Sequence, residues 1–187
     1  SIGNKKSAGT KLVCFDSFFN NPGVYEVDMC TPMKKIINEV GGGFKEPVKA
    51  LQIGGPLGGV IPIDEVEKLN LDFQEFIAAG FMLGHGSIVS IPKNFSMVEY
   101  IHHLFVFSAE ESCGKCFPGR LGSYRGKEMF DQAINKSKKI PLKLLNELLI
   151  TMKKGSLCAL CGAIPVPIMN ILKYFSDEMK NDIVQEN

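Results

Sequence analysis

Glu111-Ser112-Cys113-Gly114-Lys115-Cys116-Phe117-Pro118, continuing Gly119-Arg120-Leu121-Gly122-Ser123-Tyr124-Arg125-Gly126, sits between two runs of helical periodicity. It carries two cysteines separated by two residues, and the pattern returns at Cys158-Ala159-Leu160-Cys161. That spacing lets the chain make a tight turn whose two sulfurs aim at one centre. Two such knuckles offer four soft ligands, Cys113, Cys116, Cys158 and Cys161, a set that suits tetrahedral zinc or an iron–sulfur cluster. Gly114, Pro118, Gly119, Gly122, Gly162 and Pro165 are expected to keep the chain irregular there, where backbone amides must point at sulfur. Lys115, Arg120 and Arg125 bring positive charge to four thiolates and would raise the potential of a cluster.

Around the knuckles the pattern is helical. Ser96-Met97-Val98-Glu99 is a capping box. Val98, Ile101, Leu104, Phe105 and Ser108 then mark one buried face. A second helix is expected over 121–136. A third, 141–153, should turn Leu144, Leu145, Leu148, Leu149 and Met152 inward and stop at Gly155. A fourth is expected over 166–179, with a frayed tail after Lys180. Residues 96–187 therefore read as an all-α four-helix bundle that carries the cysteines, with no strand signal.

Residues 1–95 read differently. Strand-like runs at 11–15, 23–27, 48–53, 59–63 and 87–91 alternate with two helical segments, 31–40 and 72–79. Thr31 is the expected N-cap of the first, with Pro32 in its first turn. The order β-β-α-β-β-α-β implies a small α+β domain of β-grasp type. Cys14 and Cys30, each in an apolar context, are read as ordinary buried thiols.

With 187 residues, 45% of them hydrophobic, the chain can build its cores without staples. Twenty-one basic against twenty acidic residues leave a net charge of +1, which argues against nucleic acid or a membrane surface as partner. The longest strongly apolar stretch, Phe76 to Gly84, falls far short of the roughly 20 residues a spanning helix needs. The first ten residues lack the apolar core of a secretory signal, so a cytoplasmic or equally reducing organelle-matrix setting is expected, and metal or redox work rather than disulfides. His85, His102 and His103 have no second ligand at productive spacing, and no serine or cysteine has a base constellation around it.

The block from Glu111 to Gly126 closely resembles the cluster-binding signature of the flavin-bearing NADH-oxidising subunits. These are the complex I flavoprotein subunit, the β subunit of NAD-dependent formate dehydrogenases and the diaphorase subunits of NAD-linked hydrogenases. Ser156-Leu157-Cys158-Ala159-Leu160 is similar to their second cysteine segment. Gly9-Thr10-Lys11-Leu12, Asn21-Pro22-Gly23-Val24-Tyr25 and Gly84-His85-Gly86-Ser87-Ile88-Val89 resemble their ligand-binding β-grasp domain. The likeness runs from about residue 9 to residue 180, and the GSYRG and SLCAL segments look nearest to the formate dehydrogenase type.

This chain departs from the family in two respects. The family has a third cysteine where this chain has Gly119, and usually a glycine where this chain has Cys161. Carried over residue by residue, the resemblance implies Cys113, Cys116 and Cys158 as ligands of a [4Fe–4S] cluster, with Cys161 as the fourth sulfur from the opposite loop. A three-cysteine site, a zinc site or no site are the alternatives. The family's glycine-rich FMN and NAD(P)H domain has no counterpart here, since Gly54-Gly55-Pro56-Leu57-Gly58-Gly59 reads as a turn. The implied role is that of an electron-transfer module of an NAD(P)H-dependent oxidoreductase complex. Its partners would be a flavin- and NADH-binding domain or subunit, a [2Fe–2S] ferredoxin-like subunit and a larger iron–sulfur subunit. The competing role is a non-redox scaffold or assembly module with zinc or no metal at the cysteines.

Overall fold

Val13 and Phe15 point inward from the first strand, β1 (Thr10–Phe15), while Leu12 and Cys14 face out. This is the period of two imposed by a sheet with one covered face. It overturns the reading of Cys14 as buried: the thiol is exposed because its neighbours in sequence take the inward positions. β1 pairs antiparallel with β2 (Gly23–Asp28), Phe15 standing opposite Gly23. The next segment is α1 (Met33–Lys35), which runs on as a π turn, Ile36–Val40. Pro32, not Thr31, holds the cap position. Its own extended ψ of 130° starts the helix one residue later, with no side-chain cap. Met33, Ile36 and Ile37 are fully buried, and Gly42 and Gly43 take positive φ just beyond the turn.

β3 (Val48–Ile53) and β4 (Gly59–Pro62) form a hairpin through the glycine-rich segment. A short helix, α2 (Ile63–Val66), follows directly and takes residue 63 out of the expected strand. α3 (Phe73–Ala78) is capped by Asp72, whose side chain accepts from the amides of Gln74 at 2.7 Å and Glu75 at 3.1 Å. β5 (Ser87–Pro92) completes a five-stranded sheet of order β2-β1-β5-β3-β4, parallel only between β1 and β5. Cys30 is half-exposed, at φ 68°, with its thiol 3.5 Å from the Asp72 carboxylate.

The structure, a computed structural model, describes residues 2–184. The chain divides into two compact units, Ser1–Asn94 and Phe95–Asn187. The second unit starts with α4 (Met97–Glu111), where the Ser96 hydroxyl accepts from the Glu99 amide at 3.4 Å. Val98, Ile101, Leu104, Phe105 and Ser108 are all buried along it. α5 (Phe117–Ile134) begins earlier than the pattern suggested. Pro118 falls in its first turn, where a missing N–H costs nothing, so the proline is no obstacle.

β6 (Ile140–Pro141) leads into α6 (Leu142–Gly155). Only Leu145, Leu149 and Met152 are buried on α6; Leu144 is exposed and Leu148 half-exposed. The expected fourth helix is two pieces, α7 (Ala159–Ala163) and α8 (Pro165–Tyr174), broken where Pro165 removes a donor. Ile183 and Val184, as β7 (Ile183–Val184), pair in parallel with Ile140 and Pro141. The second unit is therefore not strand-free, and the tail is tied down over these residues, with Met179 and Ile140 fully buried. Residues 185–187, the rest of the expected frayed tail, lie outside the described ones. Among the described residues no helix is long and apolar enough to cross a membrane.

Candidate metal centre

Both cysteine segments sit at helix starts. Cys116 occupies the cap position of α5 and Cys158 that of α7, each with extended backbone. Amide donors and the positive end of the helix dipole gather there, which favours an anionic sulfur. The amide N–H groups of Leu157 and Gly119 hold the Cys116 thiol below its ordinary range, outweighing the opposing effect of burial. Leu157 belongs to the second cysteine segment, so the contact joins the two segments at the Cys116 sulfur. The Ser156 hydroxyl also reaches towards that sulfur, buried and without a formed hydrogen bond to any partner.

The approach of the two segments depends on glycines. A Cβ on Gly155, at the end of α6, would lie 3.0 Å from Cγ of Pro118, and one on Gly122 would lie 2.8 Å from Cγ of Met152. Bare backbone at these points lets α6 close against α5. The expectation that glycine and proline keep residues 118–122 irregular is thus corrected: they are helical, and the glycines serve packing.

Gly119 is the telling position. A Cβ built on it would lie 3.0 Å from the Cys161 sulfur and 3.1 Å from the Cys116 sulfur. Two sulfurs from different segments therefore converge on one point. Cys161 is buried, at 2% exposure, and the equally buried Ser108 hydroxyl points at its sulfur across 3.9 Å. Cys113 and Cys158 are exposed. Among the described residues, no group of three or more His, Cys, Asp or Glu side chains is gathered as a metal site. The structure thus brings Cys116 and Cys161 together and leaves Cys113 and Cys158 exposed.

The basic residues are less engaged than their sequence positions suggest. Lys115 is exposed. Arg120 lays its guanidinium 5.2 Å from the Phe117 ring centre, and its Cδ lies 3.8 Å from the Cβ position of Gly114, so it covers the first knuckle without bonding to a sulfur. Arg125 pairs with Glu128 at 3.1 Å, one turn further along α5. Sequence reasoning missed Ser108, Ser156 and the Leu157 amide. Only the spacing of Gly119, Gly122 and Gly126 along one helix face could have signalled how closely the surroundings approach.

The donor set fits an iron–sulfur group. It is all cysteine sulfur, drawn from two short segments, and supplied with amides and hydroxyls aimed at sulfur. Residues 99–182 match the family model described as the NADH-ubiquinone oxidoreductase-F iron-sulfur binding region. The NADP-reducing hydrogenase subunit HndC of Solidesulfovibrio fructosivorans is 31% identical over 180 residues, 95% of this chain and 36% of that subunit. The NADH-quinone oxidoreductase F subunit of Rickettsia bellii (strain OSU 85-389) is 32% identical over 98% of this chain and 45% of its own length. The mitochondrial NADH dehydrogenase [ubiquinone] flavoprotein 1 of Dictyostelium discoideum is 28% identical over 99% of this chain and 40% of its own length. This chain spans less than half the length of each of these relatives. An NAD+-reducing [NiFe]-hydrogenase, solved in the H2-reduced state, has the same fold over 100% of this chain and 32% of its own, with a TM-score of 0.86 at 22% identity. The cysteine segments, their joining at Cys116 and these likenesses place the chain in the family of flavoprotein NADH-oxidising subunits, of which it carries the iron–sulfur binding region.

Proposed function

We propose that this chain is the electron-transfer module of an NAD(P)H-dependent oxidoreductase complex, holding a [4Fe–4S] cluster through Cys113, Cys116, Cys158 and Cys161. The observation that carries this reading is the convergence of the Cys116 and Cys161 sulfurs beside Gly119, within a set of four cysteines in two C-x-x-C segments. When bound, such a cluster takes up and releases one electron at a time. The chain's own residues do the rest. Amides of Leu157 and Gly119 stabilise sulfur as an anion at Cys116. Burial of Cys161 keeps water from one side of the centre. The bare positions 119, 122 and 155 hold the two segments close enough to share a ligand set.

FMN and NAD(P)H would be bound by a domain or subunit outside these residues, in keeping with relatives more than twice as long. A [2Fe–2S] ferredoxin-like subunit and a larger iron–sulfur subunit would be the further carriers. The first unit is read as a β-grasp-type docking domain, on its strand order β2-β1-β5-β3-β4 with a parallel β1/β5 pair, and the second as a helical bundle. A reducing compartment suits six cysteines that are all free.

Anaerobic purification with iron, zinc and acid-labile sulfide counted beside the visible spectrum tests this reading. About four iron and four sulfide per chain, with brown absorbance bleached by dithionite, is the expected result. One zinc and no colour would instead establish a structural knuckle and the scaffold role.

A further inference from the structure

Gly119 stands in the first turn of α5, where the helix itself does not call for glycine. It takes no positive φ that would call for glycine. What it provides is room: a β-carbon there would meet the Cys161 sulfur at 3.0 Å, the Cys116 sulfur at 3.1 Å and the Cys161 β-carbon at 3.3 Å. Those distances are at or inside van der Waals contact, so a side chain on residue 119 would claim the volume that the Cys161 side chain fills. Cys116 caps the same helix three residues earlier, and its sulfur lies 3.1 Å from the Cβ position of residue 119, so a side chain at 119 would reach the same centre. Cys161 reaches that centre from α7 instead, with the buried Ser108 hydroxyl at its back.

We infer that Cys161 supplies the fourth thiolate through the gap left by Gly119, so that positions 119 and 161 are interchangeable carriers of a single ligand. This rests on the reading of the cysteines as cluster ligands and adds to it a rule: one thiol at either position, with a small residue at the other. Only the backbone from which that sulfur hangs changes, from α5 to α7.

The test uses the full chain purified anaerobically as wild type, Cys161→Ser and the exchanged variant Gly119→Cys/Cys161→Ala. Serine keeps the volume of Cys161, so far-ultraviolet circular dichroism should match wild type while the iron chemistry changes. In Cys161→Ser the expected results are a fall in iron per chain by a quarter or more and an altered electron paramagnetic resonance spectrum after reduction. In the exchanged variant, iron, sulfide and a reduced-state signal should return to wild-type levels. Cys161→Ser with wild-type iron and an unchanged spectrum overturns the inference while leaving the cluster reading intact. An exchanged variant as iron-poor as Cys161→Ser also overturns it, since the two positions would then not serve one ligand. Absence of iron from wild type itself, even after reconstitution with iron and sulfide, removes the underlying reading and this inference with it.

Discussion

Burial pushes the Asp72 carboxyl up, but the amides of Glu75 and Gln74 and the side chain of Asn4 outweigh it and hold the group below the ordinary aspartate range. The folded state therefore prefers the ionised form. The resulting stability is complete above the unfolded value near about pH 4 and is lost as pH falls through the lower, folded value. Asp72→Ala should cost the first unit about 1 kcal/mol through the lost cap of α3. Asp72→Asn should keep much of the cap and flatten the acid limb. Urea midpoints at about pH 6 and about pH 3 separate the two effects. At the centre, the Ser108 hydroxyl lies 3.9 Å from the Cys161 sulfur, and hydrogen bonds to ligand sulfur raise a cluster's potential. Ser108→Ala should lower the midpoint in a spectroscopic redox titration; an unmoved midpoint would show that the hydroxyl is not felt there. Among single residues, the two cysteine pairs stand out in the sequence because their spacing is local. That the structure brings together Cys116 and Cys161, one from each pair, could not be read there. Cys14 was not legible either: average burial of cysteine lost to the two-residue period of β1. Nor was the space at Gly119, which depends on side chains more than forty positions away.

Along α5, Gly119, Gly122 and Gly126 make a face without side chains, and what each one meets differs in compliance. A β-carbon on Gly126 would lie 2.1 Å from the fully buried ring of Phe105, an aromatic held between α4 and α5. On Gly122 it would meet the Cγ and sulfur of Met152, a flexible chain. Gly126→Ala gains about 1 kcal/mol in helix propensity and loses about 1–3 kcal/mol to overpacking, so it should destabilise. Gly122→Ala should destabilise too, but by less, because the unbranched Met152 side chain gives more readily than the ring. Denaturant midpoints of the two variants, side by side, check the contrast; equal losses would show that Met152 is as rigid as the ring. Most elements of both units were legible from periodicity, since α4, α6 and the strands are amphipathic in the ordinary way. The start of α5 was not, because glycine and proline ordinarily break helices, whereas here Pro118 falls in a tolerant first turn and the glycines face neighbours. Leu144 was misplaced for a different reason: the adjacent pairs Leu144-Leu145 and Leu148-Leu149 span more of the helix circumference than packing covers, and Leu145 and Leu149 take the buried side.

At the scale of the whole chain, no segment reads as a hydride acceptor, and the relatives are more than twice as long. Cluster-loaded protein mixed with NADH alone should keep its oxidised spectrum, whereas dithionite should bleach it. Direct bleaching by NADH would mean that a hydride-accepting group resides on this chain. The sequence showed a change of character between a strand-rich half and a helical half, because the hydrophobic period itself changes. The β6/β7 pair stayed hidden, since two-residue strands leave no period to detect.

The 3.0 Å between the Cβ position of Gly119 and the Cys161 sulfur also bears on descent. Glycine and cysteine codons can differ at a single base, so moving the thiol between the two positions takes two point mutations. Glycine at both positions would leave the centre one sulfur short, and cysteine at both would crowd two side chains into one volume, so each of the two changes is expected to be tolerated only beside the other.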